Sequence, residues 1–176
     1  ENNMDVFLFT VFNGVLYGML LFMLSSGLTL IFGMMGVLNF AHASFYMLGA
    51  YFAYQISEYV GFYPALIIAP LIIAVLGAYV ERYGLRRVHK FGHVAELLFT
   101  FGLFYIIEEI VQMIWGKVPV GYHIPESMNF SLFNLMGTSY PAYQIFVLTV
   151  SVFIFAGLFA VLTKTRAGLI IKAALT

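Results

Sequence analysis

The sequence contains no cysteine, which excludes disulfides, thiolate metal sites and cysteine nucleophiles and says nothing of redox compartment. Charge is almost as scarce: 9% of the 176 residues are Asp, Glu, Lys or Arg, where soluble domains carry about 25%. Eight acidic and eight basic residues cancel to a net charge of zero, and the basic ones are too few and scattered to hold nucleic acid. No phosphate loop, zinc-protease motif or Ser/His/acid arrangement occurs, so nothing argues for catalysis. The first residues, Glu1 to Asp5, lack the basic region of a cleaved signal peptide, so the first apolar run is expected to remain as an anchor.

Apolar residues fill the space that charge leaves. They make up 62% of the chain, and the mean hydropathy is +0.97. Five apolar runs, at about 6–32, 38–56, 62–80, 94–115 and 140–162, are each long enough to cross a hydrocarbon core of about 30 Å. The expected fold is all-α: a polytopic integral membrane helical bundle, a single membrane domain over 1–176 with about five transmembrane segments. Only Gly33-Met34-Met35-Gly36 separates the first two runs, which leaves open a broken or re-entrant second segment. Pro141 falls in the first turn of the fifth run, where its missing N–H costs nothing, and Pro70 is expected to kink the third.

Positive charge orients these runs. Arg82, Arg86, Arg87 and Lys90 lie between the third and fourth, and Lys164, Arg166 and Lys172 follow the fifth. Only Lys117 falls on the other side, so the seven-charge side is predicted to be cytoplasmic and the N-terminus outside. A re-entrant second segment would reverse the N-terminus. Tyr51, Tyr54, Tyr59, Tyr63 and Trp115 then fall towards the outer interface, and Tyr79 and Tyr83 towards the inner one, as aromatic belts.

Polar residues inside apolar runs are the site candidates, because lipid offers them no hydrogen-bond partner. Asn39 and His42 head the second run. If the chain is helical from Asn39, they share a face with Tyr46, Gly49 and Ala53, with Ser44 in the same stretch. That face is either a packing seam or the lining of a translocation path beside a helix break. In the first run Asn13, Gly14, Gly18, Ser25 and Thr29 form a small and polar stripe, most simply a helix-packing interface. Glu108 and Glu109 sit inside the fourth run, where a carboxylate costs about 2.5–3.5 kcal/mol on insertion scales, so they must face the bundle or water. Structural partnering explains them more simply than proton coupling. His89, His93 and Glu96 have helical metal-ligand spacing but no clear fourth ligand, and are read as interfacial residues with no metal.

The runs Phe12-Asn13-Gly14-Val15, Gly27-Leu28-Thr29-Leu30-Ile31-Phe32-Gly33-Met34-Met35-Gly36-Val37-Leu38-Asn39-Phe40-Ala41-His42 and Tyr46-Met47-Leu48-Gly49-Ala50-Tyr51 resemble the permease subunits of branched-chain amino acid ABC transporters. Val80-Glu81-Arg82 with Arg86-Arg87-Val88 is similar to the family's basic loop, and Thr165-Arg166-Ala167-Gly168 with Lys172-Ala173 to the start of its ATPase-docking segment. The resemblance covers essentially the whole chain. It implies a bacterial inner-membrane importer half, cut at the start of a cytoplasmic coupling segment (165–176).

Its implied partners are a second permease subunit, two ATP-binding subunits that hydrolyse the ATP, a periplasmic solute-binding protein and the bilayer, with no cofactor bound by this chain. The implied path residues are Asn13, Thr29, Asn39, His42, Ser44 and Tyr46, and the implied coupling residues are Thr165, Arg166, Gly168 and Lys172. Ala43 stands where many members carry glycine and Ser44 where several carry glutamate, so the cargo stays open among leucine, isoleucine, valine and other small polar solutes, urea and short amides included. A proton-coupled carrier and a passive channel are the rival readings; a membrane-embedded enzyme is more distant.

Overall fold

A computed structural model describes residues 3–36, 38–122, 124–135, 138–165, 168 and 173. The chain is helical along most of its length: α1 (Asn3–Met35), α2 (Ala41–Val60), α3 (Phe62–Val80), a π turn (Glu81–Leu85), α4 (Arg86–His89), α5 (His93–Trp115) and α6 (Ala142–Lys164). Four stretches are long and apolar enough to cross a membrane: Val6–Gly33, Phe62–His89, His93–Trp115 and Ala142–Lys164. Most of their apolar side chains lie on the surface, which suits a solvent of lipid and would be untenable in water.

Of the five expected spans, α2 is the one outside those four. It has the length, at 20 residues, but its apolar run is diluted by His42, Ser44, Tyr46, Tyr51, Tyr54, Gln55, Ser57 and Glu58. The connection between α5 and α6 departs from a simple loop. It holds a short 3₁₀ turn (Glu126–Met128) and an antiparallel hairpin of β1 (Ser131–Leu135) and β2 (Thr138–Pro141). Tyr140 therefore belongs to a strand, and α6 starts at Ala142 with Pro141 in extended backbone as its N-cap.

The contacts divide the chain into two compact units, Glu1–Met34 with His123–Thr176 and Met35–Tyr122. In the first, Gln144 Nε2 donates to Asn13 Oδ1 (3.3 Å), and the Phe22 and Phe155 rings meet edge to face at 5.3 Å. Both pairs advance along both helices, so α1 and α6 run parallel.

In the second, α2 and α3 form a helical hairpin around Gly61. Its φ of 88° is open to glycine at little cost, and its N–H closes α2 on Ser57 O while its carbonyl starts α3 by accepting from Ala65. Gly49 lets α3 approach, since a Cβ there would lie 3.4 Å from Ile73. On its other side α2 packs along α5 in register: Phe40 on Phe101 (5.8 Å), Ser44 Oγ on Phe104 O (3.5 Å) and Tyr51 on Trp115 (5.1 Å), with Trp115 Nε1 donating to Gln55 Oε1 (3.2 Å). The two helices therefore also run parallel.

Candidate translocation site at the start of α2

The register with α5 fixes how deep α2 begins. Phe104 is the middle residue of α5, so Ser44 lies at mid-span. Phe101, level with Phe40, is about 12 Å along α5 from its N-terminal end at His93. The first turn of α2 thus opens well inside the span of α5. Just before it, Gly36 takes φ 67° and the helix is interrupted until Phe40.

Asn39 lies in this interruption and not on the helix, contrary to a helix starting at Asn39. Its side-chain Oδ1 accepts from the N–H of Ala41 (3.0 Å), and its backbone carbonyl accepts from the N–H of His42 (3.1 Å). A short amide side chain competes well for backbone donors, which is why asparagine favours helix starts over helix interiors. At this depth the two bonds have added value, because lipid offers no partner to the exposed N–H groups of the first turn. A helix N-terminus also carries partial positive charge.

Helical periodicity then sorts the residues that follow. Ala41 and Ser44 are buried to 0% and 1% exposure on the face towards α5. Ala43, Tyr46 and Ala50 occupy an exposed face, with the Tyr46 ring 55% exposed, and His42 is half-buried between the two. The second unit therefore brings Asn39 and His42 together at the break, turns Tyr46 outward beyond them and commits Ser44 to the seam with α5.

The other residues singled out in the sequence have local partners. Asn13 donates through Nδ2 to Phe9 O (3.1 Å) while accepting from Gln144, and the Thr29 hydroxyl donates to Ser25 O (2.8 Å). Thr165 donates its hydroxyl to Val161 O (2.6 Å) and accepts from the N–H of Gly168 (3.2 Å), the contact of an N-cap threonine with the residue three further on. Arg166 and Lys172 lie outside the described residues. Glu108 accepts from Gln112 Nε2 (3.4 Å), whereas Glu109 is exposed, about 9 Å along α5 from Trp115.

Two polar features escape a reading of the sequence. Gln144 supplies the partner of Asn13, and its own Oε1 is buried without a partner among the described residues. Its signal is a lone amide in the first turn of an apolar run. Glu96 is 1% exposed, and both its oxygens are taken by Nδ1 atoms of exposed histidines, His89 and His93. The three residues thus meet through hydrogen bonds that tie α4 to α5, and no metal-holding group of His, Asp or Glu occurs among the described residues.

Comparison with known proteins agrees in kind. Residues 10–175 match the family described as the permease component of branched-chain amino acid transport systems. The high-affinity branched-chain amino acid transport system permease protein LivH of Salmonella typhimurium is 28% identical over 125 residues, 63% of this chain and 39% of that protein. The probable branched-chain amino acid transport permease protein LivH of Methanocaldococcus jannaschii is 27% identical over 172 residues, 92% of this chain and 52% of its own. The permease protein BraD of Pseudomonas aeruginosa is 21% identical over 168 residues, 89% of this chain and 55% of its own. The chain thus spans between two fifths and just over half the length of these relatives. No solved structure matches it.

Proposed function

Since the chain belongs to the permease-component family of branched-chain amino acid transport systems, we propose that it forms the translocation path of an ATP-driven importer of branched-chain amino acids or other small polar solutes and amides. The observation that carries this reading is the helix interruption that places Asn39, His42 and the start of α2 about 12 Å inside the span of α5. A broken helix at that depth presents backbone polar groups and a partial positive charge to a zwitterion or an amide, at the place where an alternating-access carrier needs its site. Ala43 and Tyr46 continue the accessible face towards the outer end.

In this reading ATP is hydrolysed by two partner subunits in the bacterial cytoplasm, a second permease completes the path, and a periplasmic binding protein delivers the solute. The segment after α6, with Thr165, Arg166, Gly168 and Lys172, receives the push from the ATPases. The test is uptake by the full-length protein reconstituted with its ATPase partners. Leucine or a short amide should accumulate with ATP, and not with a non-hydrolysable analogue.

A proton-coupled carrier is the second reading, favoured by one observation: Glu109 is exposed inside a membrane-length helix. Accumulation driven by a pH gradient without ATPase, abolished by Glu109→Gln, would replace the first reading with this one.

A further inference from the structure

The turn after α3 gathers cations on exposed positions. Residues Glu81–Leu85 form a π turn, closed by the N–H of Arg86 reaching back to Glu81 O. Side chains five residues apart on an α-helix diverge by about 140°. The wider π turn, with its five-residue hydrogen bonds, narrows that divergence.

Arg82 and Arg87 have this spacing, and both guanidiniums lie against one ring: their Cζ atoms are 5.9 and 6.0 Å from the Tyr83 centroid. Arg86 is engaged by Glu81 at 2.7 Å, but neither Arg82 nor Arg87 pairs with a carboxylate among the described residues. Lys90 adds a further exposed cation, its Nζ 4.9 Å from the Phe91 ring.

Depth identifies what approaches these groups. Tyr83 lies about 30 Å along the helix from Phe62, which is the thickness of the hydrocarbon core. Tyr79, its ring 4.6 Å away and tilted by 41°, is exposed too, a pairing that suits the level where acyl chains give way to headgroups. At that level the anion within reach is the phosphodiester of a lipid. Guanidinium forks suit phosphate geometry, and an aromatic ring suits the glycerol region beside it.

We propose that Arg82, Tyr83 and Arg87 form a binding site for the headgroup of an anionic phospholipid of the cytoplasmic leaflet, built by the π turn. Each basic residue near an anionic surface contributes about fivefold in affinity. Removing both arginines should therefore weaken binding by about twenty- to thirtyfold.

The experiment is native mass spectrometry of the full-length protein in detergent micelles containing phosphatidylglycerol or phosphatidylcholine. Wild type should retain phosphatidylglycerol preferentially. The R82Q/R87Q variant should lose that retention, while R86Q/K90Q, whose Arg86 is already paired with Glu81, should weaken it only about fivefold. If R82Q/R87Q does not fold, R82K/R87K keeps the charge without the fork and should still bind less than wild type. The proposal is overturned if wild type has no lipid preference, if both double variants lose binding equally, or if R82K/R87K binds as wild type does. It is overturned equally if R82Q/R87Q keeps its lipid but no longer co-purifies with an ATPase, which would make the turn a protein-docking surface.

Discussion

Inserting leucine at two neighbouring positions separates packing from path in α2. Ser44 is 1% exposed against α5, and its bond to Phe104 O, at 3.5 Å, is at the limit of a hydrogen bond. Ser44→Ala should therefore cost less than about 1 kcal/mol. Ser44→Leu forces a branched four-carbon chain into a seam that also holds fully buried Ala41, and overpacking of this kind costs about 1–3 kcal/mol. Ala43 is exposed, so Ala43→Leu should leave stability within about 0.5 kcal/mol. It does place four carbons on the face proposed to meet the solute. Thermal unfolding of the full-length variants in detergent, beside uptake in proteoliposomes, reads both quantities. Ser44→Leu should lower the melting midpoint, and Ala43→Leu should cut uptake at an unchanged midpoint. Equal destabilisation by the two leucines would refute the assignment of faces.

Three further expectations rest on separate contacts. Asn39→Ala removes the acceptor for the Ala41 N–H and should cost about 0.5–2 kcal/mol, with Asn39→Asp retaining the bond; thermal stability of the two variants checks the pair. Gly84→Ala puts a Cβ into the Phe99 ring, so it should destabilise by about 1–3 kcal/mol, with Phe99→Leu relieving part of the loss in a double-mutant cycle. Because α1 and α6 run parallel with α3 and α5 crossing between them, α2 must cross as well. An epitope ahead of Asn3 should then be reached by antibody from the outer side of intact spheroplasts, and protection there would mean a re-entrant α2.

Membrane class and the long helices were legible in the sequence because lipid imposes them residue by residue, as apolar runs of fixed length. The interruption before α2 was legible too, from Gly33 and Gly36 flanking two methionines. What escaped depended on partners distant in sequence. Helical spacing alone placed Asn39 on the face of His42, yet its side chain competes for the Ala41 N–H and so stays outside the helix. Ser44 faces α5 because the register is set some 60 residues away at Phe104, which no local pattern records. Glu96 looked interfacial because the histidines that satisfy it are themselves exposed, so its burial shows only once α4 folds back on α5. The hairpin between α5 and α6 lies outside the apolar runs and carries no strong turn signal.

Single cysteines test the central claim most directly, since these 176 residues have none to remove. Asn39→Cys, Ala43→Cys and Tyr46→Cys in the full-length transporter should each react with a small water-soluble methanethiosulfonate. Leu71→Cys, on an exposed apolar face at the middle of α3, should remain unlabelled in the same membranes. Labelling at 39, 43 and 46, slowed by the transported solute, is the result expected of a path at the start of α2. If those three cysteines are as silent as the one at 71, the start of α2 is packed in protein or lipid and lines no path.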